Sequence, residues 1–323
     1  MNRFSHYVLP RVVLSLLAVA GWASAADYPP ATVEMELKRV SPHVYYVQGK
    51  AGIATDNQGF ISNAAAIVTD EGVVVVDALG SPSLAELFLR KLRHVTPKAV
   101  KTVIVTHYHA DHIYGLQVFK EQGAEVVAPA GYQEYFDAPV AEERLEERRF
   151  SLSPWVNDDT RLVRPDRVLD RDATLRLGDV ELEITYVGAA HSEGDLTVLV
   201  KPDRVLISGD IIFEGRVPFT GSADTSHWLE VLEKLDKSDL AALIPGHGPA
   251  AREPDKTVRL TLDYLRYTRS KMAAAVEEMI PFDEAYEATD WSAFEKLPAF
   301  EATHRRNAYG VYLSLEQEMM GGE

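Results

Sequence analysis

The six residues His107-Tyr108-His109-Ala110-Asp111-His112 constrain this chain more than any other stretch. Histidine is scarce, 10 residues in 323, so three imidazoles and a carboxylate in one short run read as a ligand cluster. The run follows Thr102 to Thr106, a β-branched segment that predicts a buried strand. As the chain leaves that strand, His107 and His109 point to one side and Tyr108 to the other. The two histidines can therefore share one metal. Asp111 and His112 open a helix expected from Asp111 to Glu121, which leaves them free to reach a second ion. Neutral imidazoles and carboxylates suit zinc, whereas a polar turn without a cation would have to bury three imidazoles together.

The start of the chain reads as an address. Arg3 and Arg11 make a positive leader, Val12 to Ala23 is apolar, and Ala23-Ser24-Ala25 is a small-residue cleavage site. The apolar run is shorter than the roughly 20 residues a bilayer demands. The expectation is a signal peptide over 1–25, cleavage after Ala25, and a periplasmic or secreted protein with no membrane span after cleavage. The chain contains no cysteine, so its stability must come from a core, which a chain of this length can supply. Its formal net charge of −16, from 33 basic and 49 acidic residues, and the lack of a dense basic tract argue against nucleic acid as a partner. A small-molecule substrate is expected instead.

Further along, Val33 to Arg39, Val44 to Val47, Ala65 to Val68 and Val73 to Val76 read as strands, the last ending in Asp77. Gly49 to Ser62, rich in Gly, Asp and Asn, reads as a loop. Ser83 to His94 carries Leu84, Leu87, Phe88 and Leu92 at helical spacing, with Ser81 as a cap and Pro82 in the first turn. A second half repeats the order: strand Arg204 to Ser208 ending in Asp210, helix Ser226 to Leu235, and strand Leu240 to Ile244 delivering His247. Two related α/β halves would bring Asp77, the 107–112 cluster, Asp210 and His247 to one edge. The charge-dense segment Ala141 to Arg149, with Glu and Arg four residues apart, predicts a solvated helix. From Asp255 the chain reads as helical, over Thr257 to Met279 and Arg305 to Met319.

His191 lies among small residues just past the strand Leu182 to Val187, and His247 lies between two glycines and two prolines; both have the setting of ligands. Asp210, at a strand end, is the natural bridging carboxylate. His43, His94, His227 and His304 lack a comparable setting and read as structural or surface residues.

From about Val33 to Pro249 these motifs resemble the metallo-β-lactamase fold superfamily. The resemblance rests on His-x-His-x-Asp-His at 107–112, the lone His191, Asp210, and Gly-His-Gly at 246–248. It implies an α/β chain folded as an αββα sandwich over residues 26–250, with a C-terminal helical extension over 251–323. It also implies a site for two zinc ions per chain. His107, His109 and His191 would bind the first, Asp111, His112 and His247 the second, and Asp210 would bridge them, with Asp77 in support. Asp210 stands where cysteine-containing β-lactamases place a zinc-binding cysteine. His109 stands where flavodiiron oxidoreductases carry Glu. The segment Gly209 to Pro218, with Trp228 and the 245–249 loop, resembles the exported SoxH-like or quinoprotein-relay zinc metallohydrolases.

The function implied is a metal-dependent hydrolase that cleaves an ester, thioester, lactone or amide-type bond by a metal-bridging hydroxide, with Asp111 a ligand that also relays a proton. Three other readings remain open: a β-lactamase, a mononuclear iron persulfide dioxygenase using His107, His109 or His191 with Asp210, and a non-catalytic metal-dependent periplasmic binding protein. Gly49 to Ser62, Phe213 to Ser222 and the 130–170 segment are the expected pocket walls. Arg216 and Arg305 are candidates for holding a substrate carboxylate, and neither is assigned.

Overall fold

The valines at 73–76 show how the layers arise. Val74 and Val76 pack inward with Ile104, Val127, Ile184 and Val198, while Val73 and Val75 pack outward with Leu84, Phe88 and Phe119. All four are essentially without solvent exposure. Alternate residues of a strand point to opposite faces, so a strand apolar on both must be covered on both. In the computed structural model, which describes residues 28–321 apart from 236 and 238, one cover is a second sheet and the other a layer of helices. The expected signal peptide lies outside the described residues.

The first sheet has seven strands in sequence order: β1 (Leu37–Arg39), β2 (Val44–Val47), β3 (Ala64–Val68), β4 (Val73–Val76), β5 (Val100–Ile104), β6 (Glu125–Pro129) and β7 (Arg167–Leu169). It is antiparallel from β1 to β4 and parallel from β4 to β7. Parallel neighbours need crossovers. Helix α1 (Pro82–Arg93) joins β4 to β5, α2 (Ala110–Ile113) and α3 (Leu116–Glu121) join β5 to β6, and α4 (Ala130–Asp137) and α5 (Pro139–Ser151) join β6 to β7. The Ser81 hydroxyl caps α1 by accepting from the Leu84 amide. The second sheet, β8 (Ala173–Leu177), β9 (Val180–Gly188), β10 (Asp195–Val200), β11 (Val205–Ile207) and β12 (Ala242–Ile244), runs in the order β12-β11-β10-β9-β8. Only β11 and β12 are parallel, joined through α6 (Thr225–Lys234). The expected repeat is present in the structure: β4-α1-β5 and β11-α6-β12 each place an aspartate after the first strand and a histidine after the second.

Helices α7 (Pro254–Glu277), α8 (Phe282–Ala288) and α9 (Phe300–Met320) form the C-terminal helical region. Val258, Tyr264 and Leu265 of α7 share a core with Trp228 and Leu232 of α6 and with Leu206 and Leu243 of the second sheet. No helix among the described residues is long and apolar enough to cross a membrane.

Five sequence expectations need adjustment. The first strand is only three residues, Leu37–Arg39, rather than Val33 to Arg39. The helix expected from Asp111 to Glu121 is broken in two at Gly115, whose amide donates to Leu79 O instead of continuing the helical ladder. A Cβ at Gly115 would stand 2.0 Å from Ala78 O, so only glycine lets the two segments approach this closely. At the other end, α8 was not expected, and α9 begins at Phe300 rather than Arg305. The charge-dense helix α5 is also less solvated than its composition predicts, because Ala141 and Leu145 are buried and one edge lines a cleft.

Candidate metal centre

All seven expected ligands converge at the edge where the strands of both sheets end. His107, His109, Asp111 and His112 arrive on the loop and short helix after β5. His191 follows β9, Asp210 follows β11, and His247 follows β12. They form two donor groups: His107, His109, His191 and Asp210, and Asp111, His112 and His247.

The donor spacing fits a cation. His109 Nδ1 lies 3.0 Å from His107 Nε2 and 2.9 Å from His191 Nε2. One ring nitrogen carries at most one proton, so it cannot donate to both neighbours. Asp210 Oδ2 is 3.9 Å from His107 Nε2 and 3.3 Å from His191 Nε2. Four donors about 2.0–2.1 Å from a tetrahedral zinc stand about 3.3 Å apart, close to these separations. In the second group, Asp111 Oδ2 is 3.6 Å from His112 Nε2 and 3.4 Å from His247 Nε2. Asp210 faces this group too: Oδ1 is 3.2 Å from His112 Nε2, and Oδ2 is 3.2 Å from His247 Nε2. His112 Nε2 and Asp210 Oδ1 are buried without a hydrogen-bond partner, as atoms reserved for a metal would be.

Outer contacts fix which nitrogen of His247, His112 and His107 faces the centre. His247 Nδ1 is 2.7 Å from Ile61 O, which can only accept, so Nδ1 carries the proton and Nε2 keeps its lone pair. His112 Nδ1 donates to Asp77 Oδ2 at 2.8 Å. Thr106 Oγ1 also donates to Asp77 Oδ2, and His107 Nδ1 lies 3.1 Å from that hydroxyl. Asp77, which additionally accepts from the Thr106 amide at 2.7 Å, thus orients two rings. It does so at φ 64°, a conformation few side chains adopt, held by these bonds. His191 is set by packing against Trp228 and Phe213, and Phe213 also stacks flat on His247 at 5.2 Å.

For three of the histidines the electrostatics favour the neutral form that a ligand needs. Burial pushes His109 down to about 3 and His191 to about 4, with neighbouring histidines adding to the effect. His107 is also lowered, by burial and then by His112. For His112 burial acts in the same direction, but the carboxylates of Asp210, Asp111 and Asp77 outweigh it and raise its pKa well above the ordinary histidine value. Burial works against ionisation of Asp111, yet His112 and His247 hold its carboxyl below the usual range.

Other parts of this site carried little signal in the sequence. Buried Asn63 accepts from the Gly49 amide and donates to Pro245 O and Gly248 O, clamping the His247 loop. Asp195 accepts from the Ala190 and Ser192 amides and from the Ser192 hydroxyl, bracing the His191 loop. Burial pushes its pKa up to about 8. An isolated Asn or Asp in a loop has no periodicity that would single it out. Beside the centre opens a cleft of about 560 Å³. The expected walls, from 49–62, 130–170 and 213–222, all contribute, and α9 adds Thr303 and Arg306. Arg216 lines the cleft. Arg305 does not: it sits on the surface, paired with Asp283 and Glu287. Of the histidines set aside, His43 pairs with Asp203 and Asp179, and His304 is buried among aromatic rings.

Residues 57–247 match the family model of the metallo-beta-lactamase superfamily. The chain belongs to that superfamily. Superfamily members are mostly metal-dependent hydrolases, and the His/Asp cluster above fits that habit. One relative is a metallo-beta-lactamase type 2 of Bacillus sp. (strain 170), 26% identical over 220 residues, covering 64% of this chain and 73% of the relative. Another is a linear primary-alkylsulfatase of Pseudomonas sp. (strain ATCC 19151), 24% identical over 260 residues; the match takes in 68% of this chain but only 48% of the alkylsulfatase. Among solved structures, the metallo-beta-lactamase from Pontibacter korlensis superposes with a TM-score of 0.58 at 20% identity, over 72% of this chain and 99% of that one. The inverting sec-alkylsulfatase Pisa1 from Pseudomonas sp. superposes at 0.63 and 18% identity, over 90% of this chain and 51% of its own.

Proposed function

We propose that this member of the superfamily is an exported two-zinc hydrolase acting on an ester, thioester, lactone or amide-type bond of a small molecule. The observation that carries the reading is Asp210, whose two carboxylate oxygens face both donor groups. His107, His109 and His191 would hold the first ion, and Asp111, His112 and His247 the second. Two such ions supply a nucleophilic water at neutral pH and polarise the bond to be cleaved. The chain's own residues do the rest. Asp77, Thr106 and Ile61 keep the imidazole lone pairs pointed inward, Phe213 and Trp228 exclude water, and Asp111 stands open to the cleft. Its side chain is 19% exposed where that of Asp210 is 4%. Asp111 is therefore placed to pass a proton to the leaving group, while His112 and His247 keep its carboxylate ionised.

The signal-peptide pattern read in the sequence of residues 1–25 supports export to the periplasm or beyond, and mass spectrometry of the N-terminus from a periplasmic fraction tests it. For the chemistry, the test is zinc content together with a panel of chromogenic esters, thioesters and lactones. The expected result is about two zinc per chain and turnover lost in His109→Ala and Asp111→Asn with the circular dichroism spectrum kept. Full turnover in His109→Ala would sink the reading. A β-lactam is the second reading, supported by the type 2 relatives; Asp210, standing where cysteine-containing β-lactamases place their zinc-binding cysteine, weighs against it, and a cephalosporin in the panel decides.

A further inference from the structure

The cleft is basic in an acidic protein. The formal charge of the chain is −16, yet the cleft is lined by Arg144, Arg148, Arg216 and Arg306, with Glu147 the one carboxylate besides Asp111 and Asp210. These arginines also lack the partners their neighbours have. On α5, Arg149 pairs with Glu142 and Glu146, while Arg148 reaches only Glu147, at 3.9 Å. On α9, Arg305 pairs with two acids. For Arg144 and Arg306 no carboxylate stands within 4 Å among the described residues, and Arg306 lies over the Phe219 ring.

Arg216 is the sharpest case. It is 6% exposed, and its Nε is buried with no partner. Its Nη1 stands 3.3 Å from His247 Nδ1, but that nitrogen donates to Ile61 O and has no lone pair to offer. Buried charges are ordinarily paired and hydrogen-bonded. Burial lowers the pKa of Arg216 while Asp210 and Asp111 partly offset that from a distance; with cations engaging those two carboxylates, the guanidinium would be left for an outside anion. This last step rests on the two-zinc reading; the unpaired arginines do not.

We propose that the cleft selects substrates bearing an oxyanion, a carboxylate, sulfate or phosphate group, held by Arg216 at the floor and by a collar of Arg144, Arg148 and Arg306 at the mouth. The collar includes a residue of α9, outside the 57–247 core that defines the superfamily. The C-terminal helices thus determine specificity. Arg216 is pre-placed by the same loop that stacks Phe213 on His247, so the anion is registered against the reacting centre. Arginine suits this role because its planar fork matches two oxygens of such a group.

Calorimetry with inorganic sulfate on the zinc-loaded chain tests the binding, comparing wild type with Arg216→Gln and Arg306→Gln at matched zinc content. Each lost charge-assisted contact should weaken sulfate by roughly tenfold to a hundredfold for Arg216, and less for the exposed Arg306. Three 4-nitrophenyl compounds separate the sources of the anion: the neutral acetate, the hemisuccinate with a remote carboxylate, and the sulfate, in which the anion is the group cleaved. A kcat/KM advantage of one anionic compound over the acetate that shrinks in both variants is the expected result. Unchanged sulfate affinity in both variants would overturn the proposal while leaving the hydrolase reading intact. Arginine-dependent sulfate binding without turnover of any compound would do the reverse. If Arg216→Gln fails to fold, Arg306→Gln decides alone, since its side chain lies on the exposed face of α9.

Discussion

Asp77→Asn is the most informative single change outside the ligand set. The carboxylate accepts from the Thr106 amide at 2.7 Å, from the Thr106 hydroxyl at 2.8 Å and from His112 Nδ1 at 2.8 Å. It is almost fully buried. Asparagine has nearly the same shape but one acceptor oxygen. If that oxygen keeps the Thr106 amide, the new NH2 group faces two donors. His112 can relieve the clash only by moving its proton to Nε2, the atom aimed at the centre. Hydrogen bonds to a charged group contribute about 1.5–3 kcal/mol each. Losing two of three and leaving buried donors unpaired should cost about 3–5 kcal/mol. Metal affinity should fall about 10- to 100-fold. Urea unfolding of the metal-free chain reads the first effect, and competition against a graded chelator reads the second. The reasoning fails if the variant keeps its zinc affinity within twofold of the parent, because His112 would then not need Asp77 to fix its proton.

Two further outcomes follow from contacts away from the centre. The hydrogen bond that His43 donates to Asp203 raises the pKa of His43 above 6.5, with burial opposing and the Asp203 and Asp179 charges assisting. This contact therefore contributes stability that is full below about 6.5 and is lost as pH rises through the higher folded value. The urea midpoint should decline across that window in the wild type and not in His43→Gln; equal slopes would refute it. Buried Asn307 of α9 accepts from the Thr220 amide and donates to Pro218 O and Tyr264 OH, tying down the loop that carries Arg216 and Phe219. Asn307→Leu should lower stability by about 2–4 kcal/mol and raise KM more than it lowers kcat; a loss under about 1 kcal/mol would show that the loop holds itself.

The candidate centre was more legible in the sequence than its surroundings, for a physical reason. Metal ligands are rare residue types at fixed spacing beside strand ends, so His107 to His112, His191, Asp210 and His247 stand out from a single chain. The paired strand-helix-strand units were legible too, since buried parallel strands are continuously apolar. By contrast, Gly115 breaks a helix through contact with Ala78, far away in sequence. The edge of α5 that faces the cleft, Arg144 and Arg148 at i, i+4, has the same composition as the ion-paired edge with Arg149. Which edge meets solvent depends on how the helix is laid on the sandwich, and local spacing does not encode that.

The ligand atoms come from both sheets: His107, His109, Asp111 and His112 from the end of β5, His191, Asp210 and His247 from the ends of β9, β11 and β12. A cation bonded there rivets the seam of the sandwich, tying segments up to 140 residues apart in sequence (247 minus 107). By mass action, free metal at 100 times its dissociation constant adds about 2.7 kcal/mol to the folded state. Metal supply and resistance to unfolding are then one quantity read two ways. If the centre holds a metal, a chain without disulfides would lose folded lifetime when that metal is withdrawn, and its abundance would track the metal available to it.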